Sequence, residues 1–423
     1  MLLLRNVVLV HPGHPSDSRP IDLLLQDGRL HRLEPGGSMP TQGHTVAEAE
    51  DLHVSLSWID TLASLNIPGH ELRDSLEHLS ASALQGGFSH VVVSPNSHPP
   101  IDHAEAVLAL LARAATLPTT LLPMGAASEG TQGKEMAELA SMQQAGACLI
   151  SDGWQPLQAA GLQYRILRYL APLQLPMHQL PMLESLEAGG VANESPAITR
   201  LGLKASPILA ETLAVQQLLE LLRHTEAELY LCPITAADSV ARIRQAKADG
   251  LRVTAGTLPA YLYFTDEQLG DFDTRYKLRP PLRSEQDRLA LLEAVADGTL
   301  DILASGHSPA TIDEKRLEFD FAAYGMPMLE TCYACASTAL EGYAEVETLV
   351  RILGLQPRKL LRMPIPAFEP GAELSLTLFQ PRLRWTATEK HLKTLYNSNP
   401  TTGHTLKGKA YGVYHKGVLH KAH

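Results

Sequence analysis

Three side chains able to hold a metal or move a proton sit where short apolar runs end. Asp152 follows the run 147–151, His178 lies within 175–179, and His307 follows 300–305. A carboxylate and two imidazoles suit a divalent cation such as zinc, and a catalytic zinc works with three protein ligands and one open position. Each residue also has a plainer use. Asp152-Gly153 is a common turn pair, and a histidine on an apolar strand can be a core residue with both ring nitrogens satisfied. Arg279 and Arg283 bracket Pro280-Pro281-Leu282; planar guanidinium groups suit a small carboxylate ligand, and structural ion pairs are their simpler role. Cys332 and Cys335 have C-x-x-C spacing, but a structural zinc needs about four ligands and there is no second pair. Within 327–340, which reads as a helix, residues three apart simply share a face.

The elements that must position these groups alternate. Apolar runs at 52–59, 90–94, 120–123, 147–151, 175–179, 228–234, 251–255 and 300–305 read as strands buried on both faces. Helical stretches are expected at 71–84, 103–115, 134–144, 162–170, 209–225, 237–248 and 285–296, with Val215, Leu218, Leu219 and Leu222 spaced i, i+3, i+4, i+7. Parallel strands need crossovers and eight of them close a sheet, so a (β/α)8 TIM barrel over 52–361 is expected. An open doubly wound sheet would call for a Gly-rich phosphate fingerprint after its first strand, and none is present. Both chain ends read as β, with hairpin signals at Asp27-Gly28 and Lys416-Gly417. They are expected to meet in one small β-sandwich domain, 1–51 with 362–423. In a barrel, chemistry belongs at the C-terminal strand ends, where Asp152, His178 and His307 fall.

Composition narrows the class. The 423 residues carry 35 Lys plus Arg against 46 Asp plus Glu, a formal charge of −11. That balance argues against a general nucleic-acid or anionic-membrane binder. The apolar run 106–112 is far short of the roughly 20 residues that span a bilayer. Residues 1–10 lack a basic lead and a small-residue cleavage site, so they read as a strand and not as a signal peptide. Four cysteines, Cys148, Cys232, Cys332 and Cys335, do not make a disulfide scaffold and fit a reducing cytoplasm.

The order and spacing of several short stretches carry a family resemblance. They are Ile59-Asp60 with Pro68-Gly69, Gly86-Gly87-Phe88, Pro95-Asn96, Asp152-Gly153, Asn193-Glu194 with Leu201-Gly202-Leu203, and Asp297-Gly298-Thr299-Leu300-Asp301. The most specific is Tyr276-Lys277-Leu278-Arg279-Pro280-Pro281-Leu282-Arg283-Ser284 followed by Asp287-Arg288, and Leu406-Lys407-Gly408-Lys409 closes the set. Together they resemble the class I dihydroorotases of the amidohydrolase superfamily over nearly the whole chain.

The resemblance implies a hydrolase that opens and closes the dihydroorotate ring at one or two divalent metals, with an aspartate after strand eight shuttling the proton. It also implies where those groups belong. The two strand-one histidines correspond to Leu62 and Ser64, the strand-six histidine to Pro233, and the shuttle aspartate to Gly306. The strand-four carboxylate remains as Asp152 and the strand-five histidine as His178. Among substrate positions, an arginine corresponds to Asn66, an asparagine to Arg279 and a histidine to Ala310, while Asn96 and His307 remain. The resulting expectation is a degenerate, dihydroorotase-like protein of pyrimidine biosynthesis that needs no cofactor. It would be a homo-oligomer and a structural partner of aspartate carbamoyltransferase. The alternative is an active cyclic amidohydrolase with a rebuilt zinc site on Asp152, His178 and His307.

Overall fold

The computed structural model describes residues 1–422, with the backbone alone for Ala197. Eight parallel strands form one sheet: Trp58–Ala63, Phe88–Val93, Thr120–Gly125, Leu149–Ile150, Met177–Gln179, Leu229–Leu231, Val253–Thr257 and Ile302–Leu303. Each pairs with the next in chain order, and a parallel bridge from Ala63 to His307 joins last to first. All six side chains of Trp58–Ala63 are buried, as are those of Met177–Gln179 and Leu229–Leu231. That is the burial of a sheet packed inside and out. Helices cover the outside; Leu209–Arg223 turns Val215, Leu218, Leu219 and Leu222 inward, the stripe its spacing predicts. The chain is a (β/α)8 barrel with a separate mixed sheet.

Both ends of the chain build that second sheet. Its order is Val418–Lys421, Thr405–His415, Leu376–Thr386, His53–Leu56, Leu2–Leu9, Pro20–Gln26, Arg29–Pro35, with Thr45–Ala47 beside Leu2–Leu9. Leu4, Leu23 and Leu25 share one apolar cluster with Leu376, Leu378 and Tyr414. The two hairpin turns touch: the Gly28 N–H donates to the Tyr414 hydroxyl at 3.0 Å, and a Cβ on Gly28 would lie 3.7 Å from the Gly417 nitrogen.

Several elements differ from expectation for local reasons. The strand expected over 52–59 is two strands. His53–Leu56 pairs antiparallel with Leu376–Phe379 in the terminal sheet, and Trp58–Ala63 begins the barrel. Ser57 parts them because its carbonyl accepts from Arg358 Nη1 at 2.6 Å instead of extending a ladder. The helix expected over 71–84 is Leu76–Gly86, started by the Ser75 hydroxyl accepting from the His78 N–H. The helix expected from 134 is Leu139–Ala145, because Met136 bridges to Ser128 in extended form. The C-x-x-C pair lies in the helix Cys332–Ala339, and all four cysteines are free thiols. Among the described residues, no helix is long and apolar enough to cross a membrane.

Basic groups crowd the seam between barrel and terminal sheet. The His90 and His415 rings lie 4.9 Å apart. His415 Nδ1 meets Ser375 Oγ at 2.7 Å and its Nε2 meets Thr120 Oγ1 at 2.9 Å. His90 Nδ1 meets Ser89 Oγ at 2.6 Å. Lys416 Nζ donates to the Leu117 and Thr119 carbonyls, Arg358 is buried beside them, and His420 adds to the field. Burial and then these neighbouring cations push His90 down to about 3 and His415 down to about 4. Both values lie below the ordinary 6.5, so the unfolded chain binds these protons first and stability falls as pH drops. Thermal melts across pH should therefore give a melting temperature that holds above pH 7 and declines from about 6.5 toward 4. His415→Gln should flatten part of that decline. Parallel pH curves for the two proteins would contradict this.

Candidate functional site

At the C-terminal ends of the strands the barrel is closed by a buried carboxylate. Asp60 is fully buried in the first barrel strand. Its Oδ1 accepts from the Ser305 N–H at 2.7 Å and its Oδ2 from Ser305 Oγ at 2.6 Å. Ser305 Oγ in turn accepts from the His307 N–H at 3.0 Å, and the Ser64 N–H donates to the His307 carbonyl at 2.8 Å. Burial raises the Asp60 carboxyl to about 6 against the pull of these donors. Sequence reasoning missed this role. The signal was available: a carboxylate within Trp58–Ala63, whose other members are apolar or small, needs a partner.

The residues at the expected ligand positions face inward but are otherwise engaged. Leu62 is fully buried in the barrel core. The Ser64 hydroxyl accepts from Trp154 Nε1 at 2.9 Å. Pro233 is buried and has no side-chain donor. His178 Nε2 lies 3.0 Å from the Cys232 carbonyl and Nδ1 lies 2.7 Å from Ser151 Oγ. A carbonyl only accepts, so Nε2 carries the proton and Nδ1 receives the serine hydroxyl. Burial lowers His178 to about 4 and keeps the ring neutral. Asp152 Oδ1 accepts from the Ala127 and Ser128 N–H groups at 2.9 Å, and Oδ2 from Ser128 Oγ at 2.5 Å. Burial raises that carboxyl to about 6. Tyr230, in the sixth barrel strand, shares a 2.8 Å hydrogen bond with Thr61 of the first.

Gly306 has φ +62°, and a Cβ there would stand 2.4 Å from Leu258 Cδ1. A side chain there would have to displace the end of the Leu258 side chain and adopt a left-handed backbone. His307 is fully buried; its Nδ1 accepts from the Leu329 N–H at 3.3 Å, and Nε2 lies 3.6 Å from the buried Asp74 Oδ2. Asp152, His178 and His307 thus have separate protein partners. Among the described residues, no group of three or more His, Cys, Asp or Glu is placed to hold a metal ion. The residues present do not fit a divalent metal: His178 Nδ1 receives the Ser151 hydroxyl and Asp152 accepts three protein hydrogens, while the buried His307 Nε2 and Asp74 Oδ2, without hydrogen-bond partners among the described residues, are too few ligands to hold one.

A cavity of about 390 Å³ opens above these residues, lined in part by Ser64, Asn66, Ser94, Trp154, Arg279 and Tyr324. Asn96 is at its edge, but its Nδ2 donates to the Asp152 carbonyl at 2.9 Å and its Oδ1 accepts from the Trp154 N–H at 3.0 Å. It braces the loop after the fourth strand. Arg279 is held by Glu187 through Nε at 2.9 Å and Nη2 at 2.6 Å, and by Glu184 at 2.9 Å. Arg283 is buried and donates to Asn193 Oδ1, the Ser206 carbonyl and Thr235 Oγ1. Arg279 is thus held in ion pairs, while Arg283 is buried among neutral acceptors and forms no ion pair among the described residues. Ala310 is buried.

A closed eight-stranded barrel with its cavity at the C-terminal strand ends defines the class of this chain, and comparison with known proteins sets the family. Residues 52–239 match the family described as dihydro-orotase-like. The chain is 33% identical over 411 residues to the dihydroorotase of Syntrophus aciditrophicus (strain SB), covering 96% of each. It is 34% identical to that of Pelotomaculum thermopropionicum, covering 92% of this chain and 91% of the relative. Solved structures share the fold: L-hydantoinase (dihydropyrimidinase) from Arthrobacter aurescens has a TM-score of 0.87 at 20% identity, covering 100% of this chain and 96% of that one. Dihydropyrimidinase from Brevibacillus agri NCHU1002 has a TM-score of 0.83 at 20% identity, covering 99% and 95%. The chain belongs to the dihydroorotase family of amidohydrolase-like barrels.

The contact between Gly306 and Leu258 can be tested alone. A non-glycine residue at φ +62° is strained and its Cβ would press on the buried Leu258, and backbone strain and overpacking each typically cost about 1–3 kcal/mol. Gly306→Asp should lower unfolding stability by about that amount in denaturant titrations, and adding Leu258→Ala should recover part of the loss. A Gly306→Asp variant as stable as the parent would show that the two positions do not compete for space.

Proposed function

We propose that this chain is a dihydroorotase-like protein that does not hydrolyse dihydroorotate and serves instead as a structural partner of aspartate carbamoyltransferase. One observation carries the reading: every retained donor at the ligand positions is committed to a protein partner, and the other positions hold Leu62, Ser64, Pro233 and Gly306. Opening an unactivated cyclic amide near neutral pH needs a hydroxide source, a polarised carbonyl and a proton carrier. His178 and Asp152 are bonded to the barrel's own backbone and serines. Ser64 takes the Trp154 proton, and Leu258 fills the space beside Gly306. The remaining basic side chains at the cavity are the exposed His70 and two ion-paired arginines.

The partner reading is supported by the independence of the barrel core from any metal. Closure rests on Asp60 and on apolar packing, so an intact surface survives the loss of the ligands. It agrees with the degenerate, partner-forming branch that the sequence resembles. A homo-oligomeric, cytoplasmic protein completes the proposal, in keeping with four free cysteines. The competing reading, a hydrolase with one zinc on Asp152, His178 and His307, draws its support from the relatives, which are named dihydroorotase.

Two measurements decide between them. Purified protein assayed with dihydroorotate and with carbamoyl aspartate, with and without added zinc, should turn over far below the usual enzyme range. A kcat on the order of 1 s⁻¹ or more would overturn the reading. Co-expressed with the aspartate carbamoyltransferase of its own source, the chain should co-elute as a stoichiometric complex. Separate elution of the two folded proteins at micromolar concentration would reject the partnership.

A further inference from the structure

Among the described residues, the two most exposed large apolar side chains are Leu72 at 76% and Phe321 at 74%. Both belong to segments that rim the barrel mouth, since Arg73, Tyr324 and Gly325 line its cavity. Ile312, Leu317 and Phe272 are exposed on the same and adjoining stretches. Direct bonds tie these stretches together. Glu314 grips Arg73 through Nε at 2.9 Å. The Thr274 hydroxyl donates to the Lys315 carbonyl, and Lys315 Nζ donates to the Thr274 and Ala323 carbonyls at 3.0 and 2.8 Å. Lys277 Nζ donates to the Asp320 carbonyl at 2.9 Å. Phe319 and Ala322 are buried between the open Leu317 and Phe321 and their neighbours. The stretch is therefore packed on its inner side while its apolar outer side chains stand in water. Isolated exposed apolar residues are ordinary, but a group of large ones rimmed by polar residues marks an interaction surface.

The rim is acidic. Asp271, Asp313, Glu318 and Asp320 are exposed on these segments and form no ion pair among the described residues. The exposed basic groups there without an ion pair are Arg316 and His70. Arg73 and Arg275 are paired with Glu314 and Asp273, and Lys277 and Lys315 are buried. The sign of the rim selects the occupant. Nucleic acid and an anionic bilayer carry the same sign and are repelled. A second copy of the chain would press one acidic rim against another, which is costly at an interface.

We infer that the rim of the barrel mouth carrying Leu72, Ile312, Leu317 and Phe321 is the docking face for a protein partner whose surface offers apolar pockets surrounded by lysine and arginine. The inference rests on the partnership proposed above and names the surface of this chain that the partnership uses. Leu72 and Phe321 supply the desolvated anchors, which carry most of the energy of an interface. The carboxylates around them steer the encounter and fix its orientation.

The aspartate carbamoyltransferase of the chain's own source is the probe, with purified full chains and binding read by biolayer interferometry. Leu72→Ser and Phe321→Ser should each weaken binding at least about tenfold, with melting curves confirming that the variants are folded. Asp313→Lys combined with Glu318→Lys should slow association several-fold, and added salt should slow it for the parent. Leu108→Ser, at an equally open leucine of the helix Ala104–Ala114, should bind like the parent. A parent that does not bind the carbamoyltransferase would remove the partnership and this inference with it. A parent that binds while folded Leu72 and Phe321 variants bind equally well would overturn the inference alone. So would a Leu108 variant as impaired as they are, or ultracentrifugation of the chain by itself showing that Leu72→Ser and Phe321→Ser break up a homo-oligomer.

Discussion

Between the last barrel strand and the first, the described ladder contact is a single bridge, Ala63 to His307, so the closure of the barrel falls to the Asp60 carboxylate. It takes both the N–H and the hydroxyl of Ser305, and Ser305 passes the connection to His307. The energetic weight of such a contact comes from where it is. A carboxylate buried among apolar strands is tolerated when its lone pairs are filled, and removing one member of such a set leaves an unsatisfied group that costs several kcal/mol. The position of the whole mouth follows from it, including the left-handed turn at Gly306 and the seat of Ser64 beside His307.

That clasp explains how a barrel of this family keeps its form while its ligand positions hold other residues. The interior at the strand ends is a set of short-range bonds: His178 between Ser151 and Cys232, Tyr230 with Thr61, and the Asp152 carboxylate gathering the 127–128 backbone. Each satisfies a buried polar group locally, as a water-poor interior requires. Leu62 and Leu258 add hydrocarbon beside them. The packing that defines the barrel rests on apolar side chains and on these buried hydrogen bonds.

Much of the architecture was legible because it rests on periodicity. Strands buried on both faces read as short apolar runs, and the Val215–Leu222 stripe reads as one helix face. The Asp27-Gly28 and Lys416-Gly417 turns mark hairpins that in fact touch. What escaped depended on single long-range bonds. Nothing local in 52–59 reveals that Arg358, some three hundred residues later, takes the Ser57 carbonyl and divides the run between two sheets. The site was half legible. The resemblance implies ligand or proton-carrying roles at 62, 64, 233 and 306, where Leu62, Pro233 and Gly306 offer no side-chain donor. That Asp152 and His178 are committed to the protein is a matter of distances. The pairing of Arg279 with Glu187, which turns a candidate carboxylate binder into an ion pair, joins residues far apart in the chain. Asp60 was visible as a charge in an apolar strand, but its partner was not.

The central claim is that Asp152 and His178, the donors that survive at the ligand positions the resemblance implies, are bonded to the protein's own groups and do not hold a cation. Metal content tests it most directly. Protein expressed in zinc-supplemented medium, purified without chelator and measured by inductively coupled plasma mass spectrometry should carry well under about 0.1 equivalent of any divalent transition metal per chain, given the several ligands each ion requires. One or more tightly held equivalents, lost on replacing Asp152 or His178 by alanine in a still folded protein, would contradict the account.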